Sequence, residues 1–267
     1  MAVRNIKLTI CYDGSGYHGW QVQPNGDTIQ QQIINALQNL TGQKIKVTGS
    51  SRTDAGVSAL GQVASFLIDS PIPTQNFAKA LNSWLPRDIA IAEVVEADPT
   101  FHAIASTKSK HYRYTLTTSK TPPVLKITQC WHYGYDLDSE QMNAAAKLFI
   151  GEKDFKSFAS AADERKSSVR TVTRCEISKQ GDEIYLDIEG NGFLYNMVRT
   201  FAGTLLDIGR GRLPVECVES VLESGNRADC GPTAPAGGLY LLRVLYDEPT
   251  FAGPDRGPRG TPGVFRL

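Results

Sequence analysis

With 267 residues, 41% of them hydrophobic and 21% charged, the chain has room for one large or two medium domains around a real core. Lysine plus arginine equals aspartate plus glutamate at 28 each, so net charge advertises no polyanion partner, and only one face would need to be basic. No apolar run approaches a membrane span, and Met1-Ala2-Val3-Arg4-Asn5 leads into a strand without a signal peptide's hydrophobic region; an intracellular, non-membrane protein is expected.

Residues 6–11 alternate as a strand and run into a glycine-rich loop over 13–26. Asp27 or Thr28 can cap a helix that carries Ile29, Ile33, Leu37 and Leu40 on one face. Two strand-like runs, 45–47 and 63–68, flank a glycine-bounded turn. A helix over 74–85 is stopped by Pro86, and 89–95 reads as a strand. The first half is therefore β-α-β-β-α-β, a split βαβ pattern. Asp98-Pro99 marks a seam, after which 110–118 alternates as a strand. A helix over 138–150 follows, then a hairpin of 171–178 and 183–189 turning at Gly181-Asp182. Helices over 193–208 and 215–222 and a strand over 239–246 complete the unit. The expected organisation is an α/β half over 1–105, a second α/β half over 106–248, and a flexible tail rich in proline, glycine and arginine over 249–267. Two similar halves meeting at a cleft make a natural place for a site.

The five cysteines, Cys11, Cys130, Cys175, Cys217 and Cys230, are scattered and odd in number, so free thiols are expected. His18, His102, His111 and His132 form no cluster at metal-ligand spacing, and no zinc is expected. Gly14-Ser15-Gly16-Tyr17-His18-Gly19 matches GxGxxG after a strand, but that motif works through a helix starting at the glycines. Pro24-Asn25-Gly26 interrupts any such helix, and Asn39-Leu40-Thr41-Gly42 stands where the ribose-binding acid belongs, so the match is a decoy.

The segment from Gly49 to Gln62 holds Arg52 and Asp54 two apart in the turn between strands. Either Asp54 bonds its own backbone, as turn aspartates do, or a rigid loop presents it as a working carboxylate. Arg52 and Arg199 are candidates to pair with it and keep it ionised. Arg199 lies beside the apolar face of its helix, where it either snorkels or is buried with a partner. Tyr112 and Tyr114 share one strand face, opposite Arg113, as core or as a platform for an unstacked base. Basic residues gather at Lys108, Lys110, His111 and Arg113, at Arg165, Lys166, Arg170 and Arg174, and at Arg210 and Arg212; such patches are phosphate contacts or solvated surface.

Together these residues resemble the tRNA pseudouridine synthase A family. The blocks are Tyr12-Asp13-Gly14-Ser15 with Gly19-Trp20-Gln21, Ser51 to Val57 with Gly61-Gln62-Val63, Phe101-His102-Ala103, Tyr112-Arg113-Tyr114, Asn196-Met197-Val198-Arg199 and Gly238-Leu239-Tyr240-Leu241. In this order they cover nearly the whole chain up to Tyr246. Two positions depart: Ser58 stands where the family has histidine, and Ile104 where it has arginine. The resemblance implies isomerisation of uridine to pseudouridine at positions 38, 39 and 40 in the anticodon arm of tRNA. It implies two similar split-βαβ halves forming a continuous mixed, largely antiparallel sheet with flanking helices and a central basic cleft. A cytoplasmic homodimer without metal or organic cofactor is also implied. Asp54 is then the nucleophile, Tyr112 stacks on the target base, Arg52 helps extrude the nucleotide and Arg199 pairs with the carboxylate. The residues themselves leave two competitors open: an RNA-binding protein without catalysis, and a glycoside hydrolase, which needs a second acid that only Asp13 could bring from afar.

Overall fold

The computed structural model describes residues 3–247; the tail expected over 249–267 lies outside the described residues. Strand β1 (Arg4–Tyr12) turns Ile6, Leu8 and Ile10 to one face, each fully buried. Helix α1 (Ile29–Thr41) packs there through Ile29, Ile33 and Leu37 and is capped by Thr28, whose hydroxyl accepts the amide of Gln31. Strands β2 (Thr48–Gly49) and β3 (Ser58–Ile68), helix α2 (Thr74–Asn82) and strand β4 (Ile89–Ala97) complete the first half in the expected order.

In the second half β5 (Thr107–Thr117) is followed by β6 (Trp131–His132), α3 (Ser139–Lys147), β7 (Gly151–Asp154), β8 (Val169–Gln180) and β9 (Glu183–Gly190). Helices α4 (Met197–Gly209) and α5 (Cys217–Ser224) and strand β10 (Leu239–Tyr246) close the described chain. The strands form one sheet in the order β4-β1-β3-β10-β5-β9-β8-β7, with β2 beside β3 and β6 beside β5. The expected continuous mixed sheet with flanking helices is present.

The last strand is the joint between the halves. β10 runs parallel to β3, setting Tyr240 against Ser58, and antiparallel to β5, setting Leu241 against Tyr112. With strands ~4.8 Å apart, the end of the 50–57 loop and the middle of β5 are two strand spacings from each other.

Several boundaries differ from expectation: β3 starts at Ser58 and not at 63, and α3 ends at Lys147 and not at 150. Ile45 and Val47 are buried but form no strand; Gln30 Nε2 on α1 donates to the Val47 carbonyl at 2.8 Å, and pairing with β3 begins at Thr48. Helix α4 starts at Met197 and not at 193, because Asn196 adopts a left-handed φ of 62° that α-helical geometry does not admit. Helix α2 ends at Asn82, short of Pro86.

Candidate active site

The glycine-rich loop after β1 gained no cofactor role from its sequence. It underlies the loop that carries Asp54: Trp20 N donates to Thr53 O at 3.1 Å and Gly56 N to Tyr17 O at 3.2 Å. From β3, Gln62 Nε2 donates to Ser51 O at 2.7 Å while its carbonyl oxygen accepts the Ser51 amide at 3.2 Å. The Tyr12 and Thr53 hydroxyls meet at 2.8 Å. Ser58, at the departing position, accepts Gly14 N at 3.0 Å and so ties the same two loops together. Residues 50–57 are thus fixed by backbone and side-chain bonds on both flanks, which orients a carboxylate before any ligand arrives.

The Asp54 carboxylate bonds no amide of its own turn. Its partner is Arg199, whose Nη1 lies 3.6 Å from Oδ2, with the two side chains 19% and 20% exposed. Arg199 does not snorkel: its Nε donates to Ala234 O at 2.7 Å and its Nη1 to Asn196 Oδ1 at 2.9 Å. The strained backbone of Asn196 therefore aims an amide at the guanidinium that faces Asp54. Burial pushes the Asp54 carboxyl above its ordinary range, and Arg199, with a smaller pull from Arg165, brings it only partly back. Arg52 is exposed on the cleft rim and makes no ion pair with Asp54, so of the two expected guanidinium partners the structure provides one.

Tyr112 stands beside the same loop. Its hydroxyl lies 2.7 Å from Ser51 Oγ, and Phe193 meets its ring edge-on at 5.3 Å between centroids. Burial pushes the phenol up to about 12, so the hydroxyl stays protonated. Tyr114, on the same face, is core: it is fully buried and donates to Pro235 O at 2.9 Å.

Asp54, Arg199, Tyr112, Phe193 and Asn196 line a cleft of about 840 Å³, together with Lys110, Arg165 and Arg170. That volume lies within the usual range for small-molecule sites. Ile104, the other departing position, is exposed on its wall. The basic patches divide by strand face. Lys110 shares the Tyr112 face, whereas His111 and Arg113 point the other way and grip Asp187, His111 Nε2 at 2.8 Å and Arg113 Nη2 at 2.8 Å. Arg174 pairs with Glu176, and Arg210 with Asp207. Phe193 and Asn196 were not singled out for the site. Both were read as helix, and only the left-handed turn at Asn196 brings them to the cleft.

Among the described residues no group of three or more histidine, cysteine or acidic side chains can hold a metal ion, and all five cysteines are free. No helix among them is long and apolar enough to cross a membrane.

A family model described as tRNA pseudouridine synthase matches residues 9–104 and 145–247. The tRNA pseudouridine synthase A of Acetivibrio thermocellus is 46% identical over 244 residues, spanning 91% of this chain and 100% of that protein. The enzymes of the same name from Caldicellulosiruptor bescii and Geotalea uraniireducens are 47% and 46% identical over the same shares. A solved archaeal box H/ACA sRNP Nop10-Cbf5 complex is similar at TM-score 0.34 and 11% identity, over 85% of this chain and 60% of that chain, too remote to bear on function.

Proposed function

The chain belongs to the tRNA pseudouridine synthase family, and from that premise we propose that it isomerises uridine to pseudouridine at positions 38, 39 and 40 in the anticodon arm of tRNA, with Asp54 as the essential carboxylate. The observation that carries the site assignment is the Asp54–Arg199 pair facing a cleft that Tyr112 also lines. In this reading the halves over 1–105 and 106–248 supply the two sides of the cleft.

The reaction breaks the N1–C1′ bond, turns the uracil without releasing it, and joins C5 to C1′; the proton on C5 leaves and N1 gains one. Atoms and electrons balance without an oxidant or a water molecule added. The target nucleotide must first leave its stack, at a cost of a few kcal/mol. Stacking on an aromatic ring returns about 1–3 kcal/mol, the role given to Tyr112. Arg52, exposed and without an ion pair among the described residues, can enter the space the nucleotide vacates. The ionised Asp54 attacks the sugar, attacks the base or removes a sugar proton, and Arg199 holds the charge in place. The resemblance over nearly the whole chain supports a cytoplasmic homodimer acting on the anticodon arm.

Asp54→Asn should abolish pseudouridine formation on unmodified tRNA while leaving the fold intact. Normal turnover by that variant would end the assignment. Mapping pseudouridines in tRNA from cells with and without the protein tests the three positions, and sedimentation tests the dimer.

A further inference from the structure

Lys110 is a cation in the cleft that the assigned roles leave unused. It stands two residues before Tyr112 on the same face of β5, about 7 Å along the strand. Its Nζ donates to Ser50 O at 2.7 Å, and no carboxylate among the described residues forms an ion pair with it. Arg170, at the start of β8, lies over Gly192 and donates Nη1 to Ser167 O at 3.0 Å and Val169 O at 2.6 Å; its hydrogen bonds among the described residues go to backbone alone, and Asp163 attracts it without an ion pair. Arg165 is held by Asp163, which also accepts the amide of Tyr195 at 2.6 Å and so ties the segment bearing Arg165 to the loop before α4.

All three cations line the cleft with Arg52 and Arg199, against Asp54, Asp163 and the exposed Glu164, so positive charge is in surplus. Burial, then Arg165 and Arg170, press the Lys110 ammonium down to about 8, and burial and Arg165 likewise lower Arg170. The group is electrostatically unfavourable with itself, and an anion seated among its members relieves that. A neutral base offers no such relief. A phosphodiester does: its oxygens suit the guanidinium fork and the compact ammonium.

We propose that Lys110, Arg165 and Arg170 form a phosphodiester-binding subsite, which grips the RNA backbone next to the uridine seated against Tyr112. The inference rests on that cleft being the uridine site. It places the grip on the substrate strand in the second half of the chain, two residues along β5 from the aromatic ring.

The test is equilibrium binding of unmodified tRNA to the full chain over about 50 to 200 mM salt, with pseudouridine formation measured in parallel. Each phosphate contact contributes about 0.7–0.9 to the slope of log K against log salt. Lys110→Met and Arg170→Gln should each lower the slope by about that amount and weaken binding roughly tenfold at the lower salt. In both, KM should rise by more than kcat falls. Lys110→Arg should keep the wild-type slope, which a purely structural lysine would not require. Wild-type slopes in both Lys110→Met and Arg170→Gln would overturn the subsite while leaving the isomerase reading intact. A wild-type protein that binds tRNA and never forms pseudouridine would overturn the reading beneath it, and the subsite with it.

Discussion

The Tyr112 hydroxyl lies 2.7 Å from the Ser51 hydroxyl, and Ser51 stands three residues before Asp54 on the loop that Gln62 pins to β3. The aromatic ring and the carboxylate therefore belong to one hydrogen-bonded unit, although they come from opposite halves of the chain. Tyr112→Phe keeps the ring and loses the tie, and should lower unfolding stability by about 1 kcal/mol. Tyr112→Leu removes the planar face, and a lost stacking term of about 1–3 kcal/mol should lower kcat/KM by roughly 10- to 100-fold. Steady-state kinetics of the two variants separates the contributions. Equal losses in both would assign the effect to the hydroxyl and remove the stacking role.

Asp54 is expected to leave a signature in pH dependence. Burial holds its folded carboxyl above the ordinary 3.8, so its ionised form disfavours the fold once pH rises through that interval. Any stability gained from the protonated form is present below the unfolded value and lost above the folded one. Asp54→Asn should therefore match the wild type in acid and become the more stable protein at neutral pH, as urea midpoints at about pH 4 and pH 7.5 would report. Activity runs the other way, since the ionised form works. Arg199→Gln should raise the Asp54 pKa further and move the acid limb of the pH–rate profile upward; an unmoved limb would remove Arg199 from the pairing role.

Much of this was legible in the chain itself, for identifiable reasons. The β-α-β-β-α-β order of the first half follows from periodicities strong enough to read locally, such as Ile29, Ile33 and Leu37 on α1. Asp54, Tyr112 and Arg199 stood out as candidates with open alternatives, and a resemblance of ordered blocks was needed to join them, because no local pattern says that β10 will insert between β3 and β5 and bring them together. Strands β6 and β7, of 2 and 4 residues, are too short to show a period. The start of α4 was misplaced because its sequence is helical in composition, while Asn196 answers to Arg199 and not to the helix. The pairing expected of Arg52 failed for a different reason. Proximity in sequence put it two residues from Asp54, a spacing that shares a face only in regular extended backbone, whereas here the chain turns at Asp54, with Val57 N donating to Asp54 O at 3.1 Å and Gly56 at a φ of 80°.

The glycine-rich loop is where a sequence motif was set aside as a decoy and the structure supplies its purpose. A Cβ on Gly14 would lie 2.0 Å from the Val57 carbonyl oxygen. One on Gly19, whose φ is 88°, would lie 2.6 Å from that of Thr53. Both contacts fall on the loop that carries Asp54. Gly14→Ala should cost about 1–3 kcal/mol through forced displacement of backbone. It should also lower kcat by more than Ser15→Ala, which touches only the exposed side of the same turn. Thermal unfolding together with single-turnover rates checks this, and an active Gly14→Ala enzyme of normal stability would show that the two loops move independently.

Asp187 tests the division of the basic residues by strand face. It is 2% exposed and accepts from His111 and Arg113, residues that sequence proximity groups with Tyr112 as a phosphate patch. Burial opposes its ionisation, but the bonds from His111 and Arg113 outweigh burial and hold its carboxyl below the usual range. A carboxyl depressed on folding stabilises above its unfolded pKa, and that contribution disappears as pH falls through the folded value. Asp187→Ala leaves a buried imidazole and a guanidinium without their carboxylate, and should cost about 3 kcal/mol at neutral pH. The gap between wild type and Asp187→Asn should then close as pH drops below about 4. Affinity for tRNA at a given folded fraction should not change, because the residues released face away from the cleft. A loss of tRNA binding larger than the loss of folded protein would place His111 and Arg113 back among the substrate contacts.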